Sequence, residues 1–292
     1  MLKPTVAIIG TSGFLGKSTL NAFQSSVFAD KFQFPIKALS RSAKKSNDKI
    51  EYVQGDLDEG INKVVDAFKG VDVIIELSSM LVYGPVENLV KQVKPKLFIP
   101  SQFGTEIDKS DKLFPGFQDF KTKHSKAVRD AGIKVVDVMT SLFGPPGPFP
   151  YEIVGQVGID AESKTVTYRG DPDTKTSFTS INDVGRSIAA VAATDFSKLP
   201  DKIRVQSGEI TPRQVVERYE NDHNVKLAAR VESAEEALKT AQTKYFQGYK
   251  PSDFLYYASV ILYQGVDKGL AFRENDNELI NPGSKLWTWD KF

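Results

Sequence analysis

Glycines at positions 10, 13 and 16 punctuate the segment Gly10-Thr11-Ser12-Gly13-Phe14-Leu15-Gly16, directly after the apolar run Val6–Ile9. That spacing suits phosphate chemistry. A buried strand ending at Ile9 must turn sharply before backbone N–H groups and a helix N-terminus can face a pyrophosphate. Gly10 permits the turn, Gly13 lets the backbone approach the phosphates with no Cβ between, and Gly16 lets the new helix pack closely. All seven residues, Thr11, Ser12, Phe14 and Leu15 included, are expected to line a dinucleotide. A second cluster follows the next apolar run. It reads Ala38-Leu39-Ser40-Arg41-Ser42 and continues to Lys44 and Lys45, with no acidic residue to hold a ribose 2′-hydroxyl. A forked guanidinium with ammonium groups beside it predicts a 2′-phosphate, and therefore NADP(H), held by Arg41 and Lys45.

Proton chemistry needs a separate group. The Tyr-x-x-x-Lys pair of many short-chain reductases, in which lysine lowers the pKa of a tyrosine, occurs at none of the 10 tyrosines. Instead, Phe98-Ile-Pro-Ser-Gln102-Phe-Gly104 is followed by a helix-like stretch carrying Lys121, Lys123 and Lys126. A lysine desolvated beside a cofactor has its pKa lowered toward neutrality and can act as a base, whereas a charged helical face is otherwise simply solvated. His124 shares the face of Lys121. It is expected at the surface rather than as a proton shuttle.

The elements that must position these groups alternate. Apolar runs at Val6–Ile9, Ile36–Leu39, Ile50–Val53, Val71–Leu77, Leu97–Ile99 and Val135–Met139 are separated by helix-like stretches at Phe14–Ser25, Gly60–Phe68, Val86–Val93 and Phe117–Ala131. This predicts an α/β fold: a Rossmann-type, doubly wound parallel sheet that binds ligands at the carboxyl ends of its strands. Topology then places Asp56 beside the adenine and Ser78 and Ser79 facing the cofactor. Phe143-Gly-Pro-Pro-Gly-Pro-Phe-Pro150 breaks the pattern, since so many prolines cannot continue a helix or central strand. It divides a nucleotide-binding part, 1–144, from a smaller α/β substrate-binding part, 145–292, the two interleaved as one compact unit. The later part is read as a hairpin (Thr165–Tyr168, turn at Gly170–Asp173), a helix from near Asn182, and a strand at Lys202–Val205. A helix capped by Thr211 with Pro212 at its first position follows, then helices near 233–244 and 252–263 and a loop-rich tail with Trp287 and Trp289.

Bulk composition excludes several classes. The chain has 292 residues, 40% hydrophobic and 26% charged, and a net charge of +1, which leaves no footprint for nucleic acid or an anionic membrane. With no cysteine and only two histidines far apart, neither disulfides, thiolate catalysis nor a metal centre is expected. No apolar run approaches the roughly 20 residues of a membrane span, and strand-like sequence begins too early for a signal peptide. A cytoplasmic protein is expected.

Several segments together resemble the isoflavone reductase-like and NmrA-like branch of the atypical short-chain dehydrogenases. They are residues 10–16, Ser40-Arg41, Val71-Asp-Val-Ile-Ile75, Phe98–Gly104, Phe117–Ile133, Phe178-Thr-Ser-Ile-Asn-Asp-Val-Gly185 and Asn275-Asp-Asn-Glu-Leu279. The likeness covers most of the chain. In that family the strand-five motif usually reads Pro-Ser-Glu-Phe-Gly, so Gln102 stands for a glutamate. The family's lysine lies 11 residues before the glycine ending the next helix; counting back from Gly132 reaches Lys121. The resemblance implies that Lys121 exchanges a proton with a phenol near the nicotinamide while hydride goes to an enone or quinone methide. It also implies that Gln102, Lys121 and Phe143 line the cofactor. Phe149, Tyr151, Tyr245, Phe246, Tyr249, Phe254, Tyr256, Tyr257 and Tyr263 suit a flat phenolic or quinonoid substrate as well as ordinary core packing. The leading expectation is an NADPH-dependent reductase, monomeric or homodimeric. The alternative is an NADP(H)-sensing regulator that binds a protein partner without turnover. Sugar-nucleotide chemistry is disfavoured by the missing Tyr-x-x-x-Lys.

Overall fold

The computed structural model describes residues 3–144 and 155–292. Strands β1 (Val6–Ile9), β2 (Ile36–Ser40), β3 (Ile50–Gln54), β4 (Val73–Glu76) and β5 (Leu97–Ile99) form one parallel sheet in the order β3-β2-β1-β4-β5. The order reverses between β1 and its two neighbours, so the carboxyl end of β1 lies at the switch point where such sheets bind ligands. β6 (Asp137–Met139) continues the layer through a parallel bridge between Phe98 and Val135, and pairs in turn with a later strand, Lys202–Arg204. These strands read as continuous apolar runs because helices cover both faces. On one face lie α2 (Ile61–Phe68) and α3 (Tyr83–Val93), over a core of Ile74, Phe68, Val86 and Phe98. A short helix, α4 (Ile107–Ser110), precedes α5 (Asp119–Arg129), which closes that face through Val128.

The other face is closed by α1 (Phe14–Gln24) and by α6 (Ile181–Ala193), a helix from beyond the proline-rich segment. Their contact is backbone-close: a Cβ on Gly185 would come within 2.5 Å of the Ser18 carbonyl oxygen. Ser18 Oγ donates to the Ile181 carbonyl. Phe23, Phe28 and Phe32 fill the space beneath, each contributing roughly 1.5–3 kcal/mol by burial. Trp287 packs against Phe28 and Trp289, and Asp290 accepts from Ser180 and Arg186 while its N–H donates to buried Asp183. The tail is thereby tied to the start of α6.

Later strands form two further sheets. β7 (Leu142–Gly144), β10 (Thr176–Ser180) and β12 (Gly208–Ile210) form one; β8 (Ile159–Asp160), β9 (Thr165–Tyr168) and β13 (Ala228–Val231) form the other. β11 is the Lys202–Arg204 strand. The expected hairpin turning at Gly170–Asp173 does not form. β9 pairs antiparallel with β8 and parallel with β13, whereas Gly170–Asp173 leads into a strand of the other sheet. Alternation reports which face is buried but not the partner. As the sequence predicts, α7 (Pro212–His223) begins with a capping box between Thr211 and Gln214 and with proline in its first turn. α8 (Ala234–Gln247), α9 (Phe254–Leu262) and the one-turn α10 (Asn277–Ile280) follow. Among the described residues no helix is long and apolar enough to cross a membrane. Phe149, Tyr151 and the prolines after Gly144 lie outside the described residues.

Candidate active site

The glycine turn has the geometry a pyrophosphate needs. Gly10 has φ +86°, and a Cβ there would lie 2.6 Å from the Leu77 carbonyl carbon at the end of β4. Gly16 presses α1 onto the turn, where a Cβ would sit 2.5 Å from the Thr11 carbonyl carbon. A Cβ at Gly13 would make only an ordinary contact, 3.5 Å from the Gly10 carbonyl oxygen, so packing within the chain does not demand glycine there. Gly13 also caps α1, with no side chain bonded to the first turn and no acidic residue within it. An uncapped, eleven-residue helix whose N-terminus points from a glycine turn fits an anion. Thr11 is buried and donates to the Leu39 carbonyl, tying the turn to β2. Ser12 accepts from Lys44 at 3.1 Å. Leu15 packs on the core, and half-exposed Phe14 meets Phe143 edge-on at 5.9 Å.

Arg41 and Lys45 are exposed just beyond β2, and neither forms an ion pair among the described residues. Lys44 lies over the Tyr52 ring as well as against Ser12, so this ammonium reaches the glycine turn most directly. The Asp56 carboxylate accepts from the Asp58 N–H in a local turn. Ser78 donates to Glu76 at 2.5 Å, and Ser79 is exposed.

Lys121 lies on α5, facing the loop after β5. Its Nζ donates to the Phe103 carbonyl at 3.0 Å and pairs with no carboxylate among the described residues. Desolvation of the ammonium lowers its pKa from 10.5 to about 8, with the Glu76 charge opposing the fall. The helix is held by Gln102. This buried amide donates to both the Lys121 carbonyl and Ser125 Oγ, and Ser125 donates onward to Asp137, which Arg129 binds at 2.8 Å. A carbonyl acceptor requires the NH₂ group of Gln102, not a carboxylate, at that place. The loop itself is pinned to the end of β6: Gly104 N–H donates to Thr140 Oγ1, and the Gly104 carbonyl accepts from Thr140 and Ser141 N–H groups. Ser141 takes φ +53°, unusual for a residue with a side chain.

His124 is buried, which corrects the expectation of a surface residue. Its Nε2 lies 2.9 Å from Glu76 Oε2 and its Nδ1 2.9 Å from Glu87 Oε1. The Tyr83 ring stacks on it at 4.0 Å and Phe98 meets it edge-on. Burial opposes its charge, but the bonds to Glu76 and then Glu87 outweigh this and raise its pKa. Between two carboxylates both ring nitrogens donate, as an imidazolium does. Composition hid this, because the flanking lysines make the helix read as solvated. A signal was present: Glu76 interrupts an apolar run otherwise fit for a central strand, and a carboxylate there demands a partner.

An aromatic wall is built around Phe117, four residues before Lys121 in the chain and just outside α5. Phe117 stacks on Phe254 at 5.4 Å and meets Tyr245, Tyr249 and Tyr257 edge-on. Tyr257 and Tyr263 are core residues, whereas Phe246, Tyr249 and Leu255 present exposed apolar surface. Met80 and Leu81, beyond β4, are also exposed.

The chain is 26% identical over 218 residues to an isoflavone reductase-like protein of Olea europaea, covering 69% of this chain and 68% of that one. It is 27% identical over 204 residues to a phenylcoumaran benzylic ether reductase of Ginkgo biloba, covering 63% of each. It thus spans about two thirds of the length of these relatives. Among solved structures, the leucoanthocyanidin reductase–NADPH complex of Vitis vinifera superposes with a TM-score of 0.64 at 17% identity, covering 89% of this chain and 87% of that one. At that identity the likeness concerns the fold. The profile of the NmrA-like family matches residues 2–266, and with so much of its length matched the chain belongs to that family.

Proposed function

We propose that the protein is an NADPH-dependent reductase of an unsaturated, phenolic or quinonoid small molecule, with Lys121 as its acid/base. The observation that carries this reading is the desolvated Lys121 ammonium, unpaired with any described carboxylate, at the loop after β5. The end of β5 lies two strands from the uncapped glycine turn. The turn and the α1 N-terminus would hold the pyrophosphate, and Arg41, Lys44 and Lys45 the 2′-phosphate. The bound cofactor would supply the hydride. With a pKa of about 8, Lys121 is mostly protonated at neutral pH yet gives up its proton readily, as a general acid must. Gln102 fixes the helix that aims it. The aromatic wall around Phe117 would offer a flat apolar surface to the substrate, in keeping with the reductase names of the relatives and the NADPH of the grape complex.

The test follows NADPH oxidation by the purified protein over a panel of quinones, enones and phenylpropenyl esters. Lys121→Ala should keep NADPH affinity and lose turnover by about 10²–10⁴-fold. Arg41→Ala should weaken NADPH about tenfold more than NADH, as expected for loss of a charge-assisted fork. Tight cofactor binding without any turnover would replace this reading with that of an NADP(H)-sensing regulator.

A further inference from the structure

A carboxylate that could claim Lys121 is occupied by another cation. Glu76, at the end of β4, accepts from Ser78 Oγ on one oxygen. Its other oxygen accepts from His124 Nε2 at 2.9 Å and from the Ser101 N–H at 3.3 Å. His124 Nδ1 donates in turn to Glu87 at 2.9 Å. The Glu76 and His124 side chains are 1% exposed or less, where water screens charge poorly. Both are tied to the surroundings of Lys121. His124 lies three residues on, one turn along the same face of α5, and Ser101 opens the loop whose Phe103 carbonyl takes the ammonium. An unshielded carboxylate there would hold the Lys121 proton, and the Glu76 charge already opposes the fall in its pKa. Apolar side chains could join β4, α3 and α5 without burying any charge.

We propose that the His124 imidazolium is a positioning residue that acts through Lys121, shielding it from the Glu76 carboxylate so that it releases its proton readily. This rests on the reductase reading, in which Lys121 gives up a proton at each turnover. With the ring charged, Glu76 and His124 form a neutral pair, and the ring keeps both of its protons throughout the cycle. The groups facing His124 are Glu76 from β4, Glu87 and the stacked Tyr83 from α3, and Lys121 on its own helix. Burial raises the Tyr83 pKa, so its hydroxyl stays neutral. Lys91 answers the Glu87 charge from outside at 3.7 Å, and Lys123 and Lys126 of α5 are paired with Asp119 and Asp130.

The test reads Lys121 itself and needs no substrate. The pH range over which Lys121→Met changes in stability relative to its parent marks where Lys121 loses its proton in the folded protein. His124→Gln keeps an amide to bond Glu76 but removes the positive charge, so Lys121 should lose its proton about one pH unit higher. Glu76→Gln removes the negative charge, so it should do so about one pH unit lower. A merely structural tie would loosen α5 in either variant, admit water to Lys121 and move both values toward that of an ordinary lysine. Shifts of one sign, or none, would overturn the proposal. The unaltered protein gives a second readout, since its two histidines are readily distinguished by ¹⁵N labelling. Both His124 nitrogens should carry protons at about pH 8, where an unperturbed imidazole has lost one. A neutral ring at that pH would overturn the shielding. Opposite shifts in a protein that reduces nothing would uphold it and overturn the reductase reading; in a reductase, the alkaline limb of kcat should move with Lys121 in each variant.

Discussion

Replacing Lys121 by methionine asks the fold to report the state of its candidate acid. A pKa held at about 8 in the folded protein and 10.5 in the unfolded chain means that the unfolded state binds protons more tightly. Between those two values the unfolded chain carries more protons than the native one, so stability rises with pH across that window. Below pH 8 both states are charged, and burying the ammonium costs about 3 kcal/mol at 1.4 kcal/mol per pH unit. Lys121 is only half-buried, and residual contact with water reduces this to about 2 kcal/mol. Methionine keeps the apolar stem and removes the charge, but it loses the bond to the Phe103 carbonyl, worth about 1 kcal/mol. At pH 7 the variant should therefore be more stable by about 1 kcal/mol, and by pH 10.5 less stable by a similar amount. Urea unfolding of both proteins at intervals between these pH values measures the difference, from which other titrating groups cancel. A difference that does not change with pH would refute the reasoning, because it would mean that Lys121 titrates alike in both states. A variant less stable than the parent at pH 7 and more stable than it at pH 10.5 would invert the sign and refute it equally.

Two further substitutions bear on the site. Gly10→Ala places a Cβ within 2.6 Å of the Leu77 backbone at a positive φ, and should cost about 2 kcal/mol or more in denaturant unfolding while weakening NADPH. Gln102→Glu, which restores the family's usual residue, removes both amide donors from the Lys121 carbonyl and Ser125 and brings a carboxylate toward Asp137. It should destabilise the protein by about 2 kcal/mol at pH 7. A carboxyl buried there has its pKa raised, so the loss should shrink as pH falls and the group protonates. Thermal unfolding at pH 5 and pH 7 measures the trend.

The parallel sheet was legible because each of its strands is a short apolar run bounded by turn residues, and the α1 turn because glycine spacing encodes backbone geometry directly. In the sequence, the proline segment marks where the alternation of apolar runs and helix-like stretches ends. The sheets beyond it were less legible, since β9 pairs with strands on either side in sequence and nothing local distinguishes β8 and β13 from β10 as its partners. Lys121 came from counting against a family pattern; composition alone would have left it on a solvated face. Glu76, His124 and Glu87 escaped notice because they are 48 and 37 residues apart in pairs, and the partner that makes a buried charge tolerable is visible only in space. The strained Ser141 left no trace at all, as its φ is imposed by the Gly104 loop that it pins.

The seating of α6 on α1 has a consequence for how the chain is made. Leu20 and Phe23 of the first helix find Val184 and Ile188 as neighbours, with the Ser18 contact fixed by Gly185. A ribosome adding about 5–20 residues each second leaves α1 waiting about ten seconds or more for that partner. Through that interval one face of the nascent sheet stays uncovered, and the glycine turn cannot be held rigid. Synthesis will therefore expose an apolar face to chaperones for longer than in folds built from adjacent elements, and cofactor affinity should arise only once the α6 segment has left the exit tunnel.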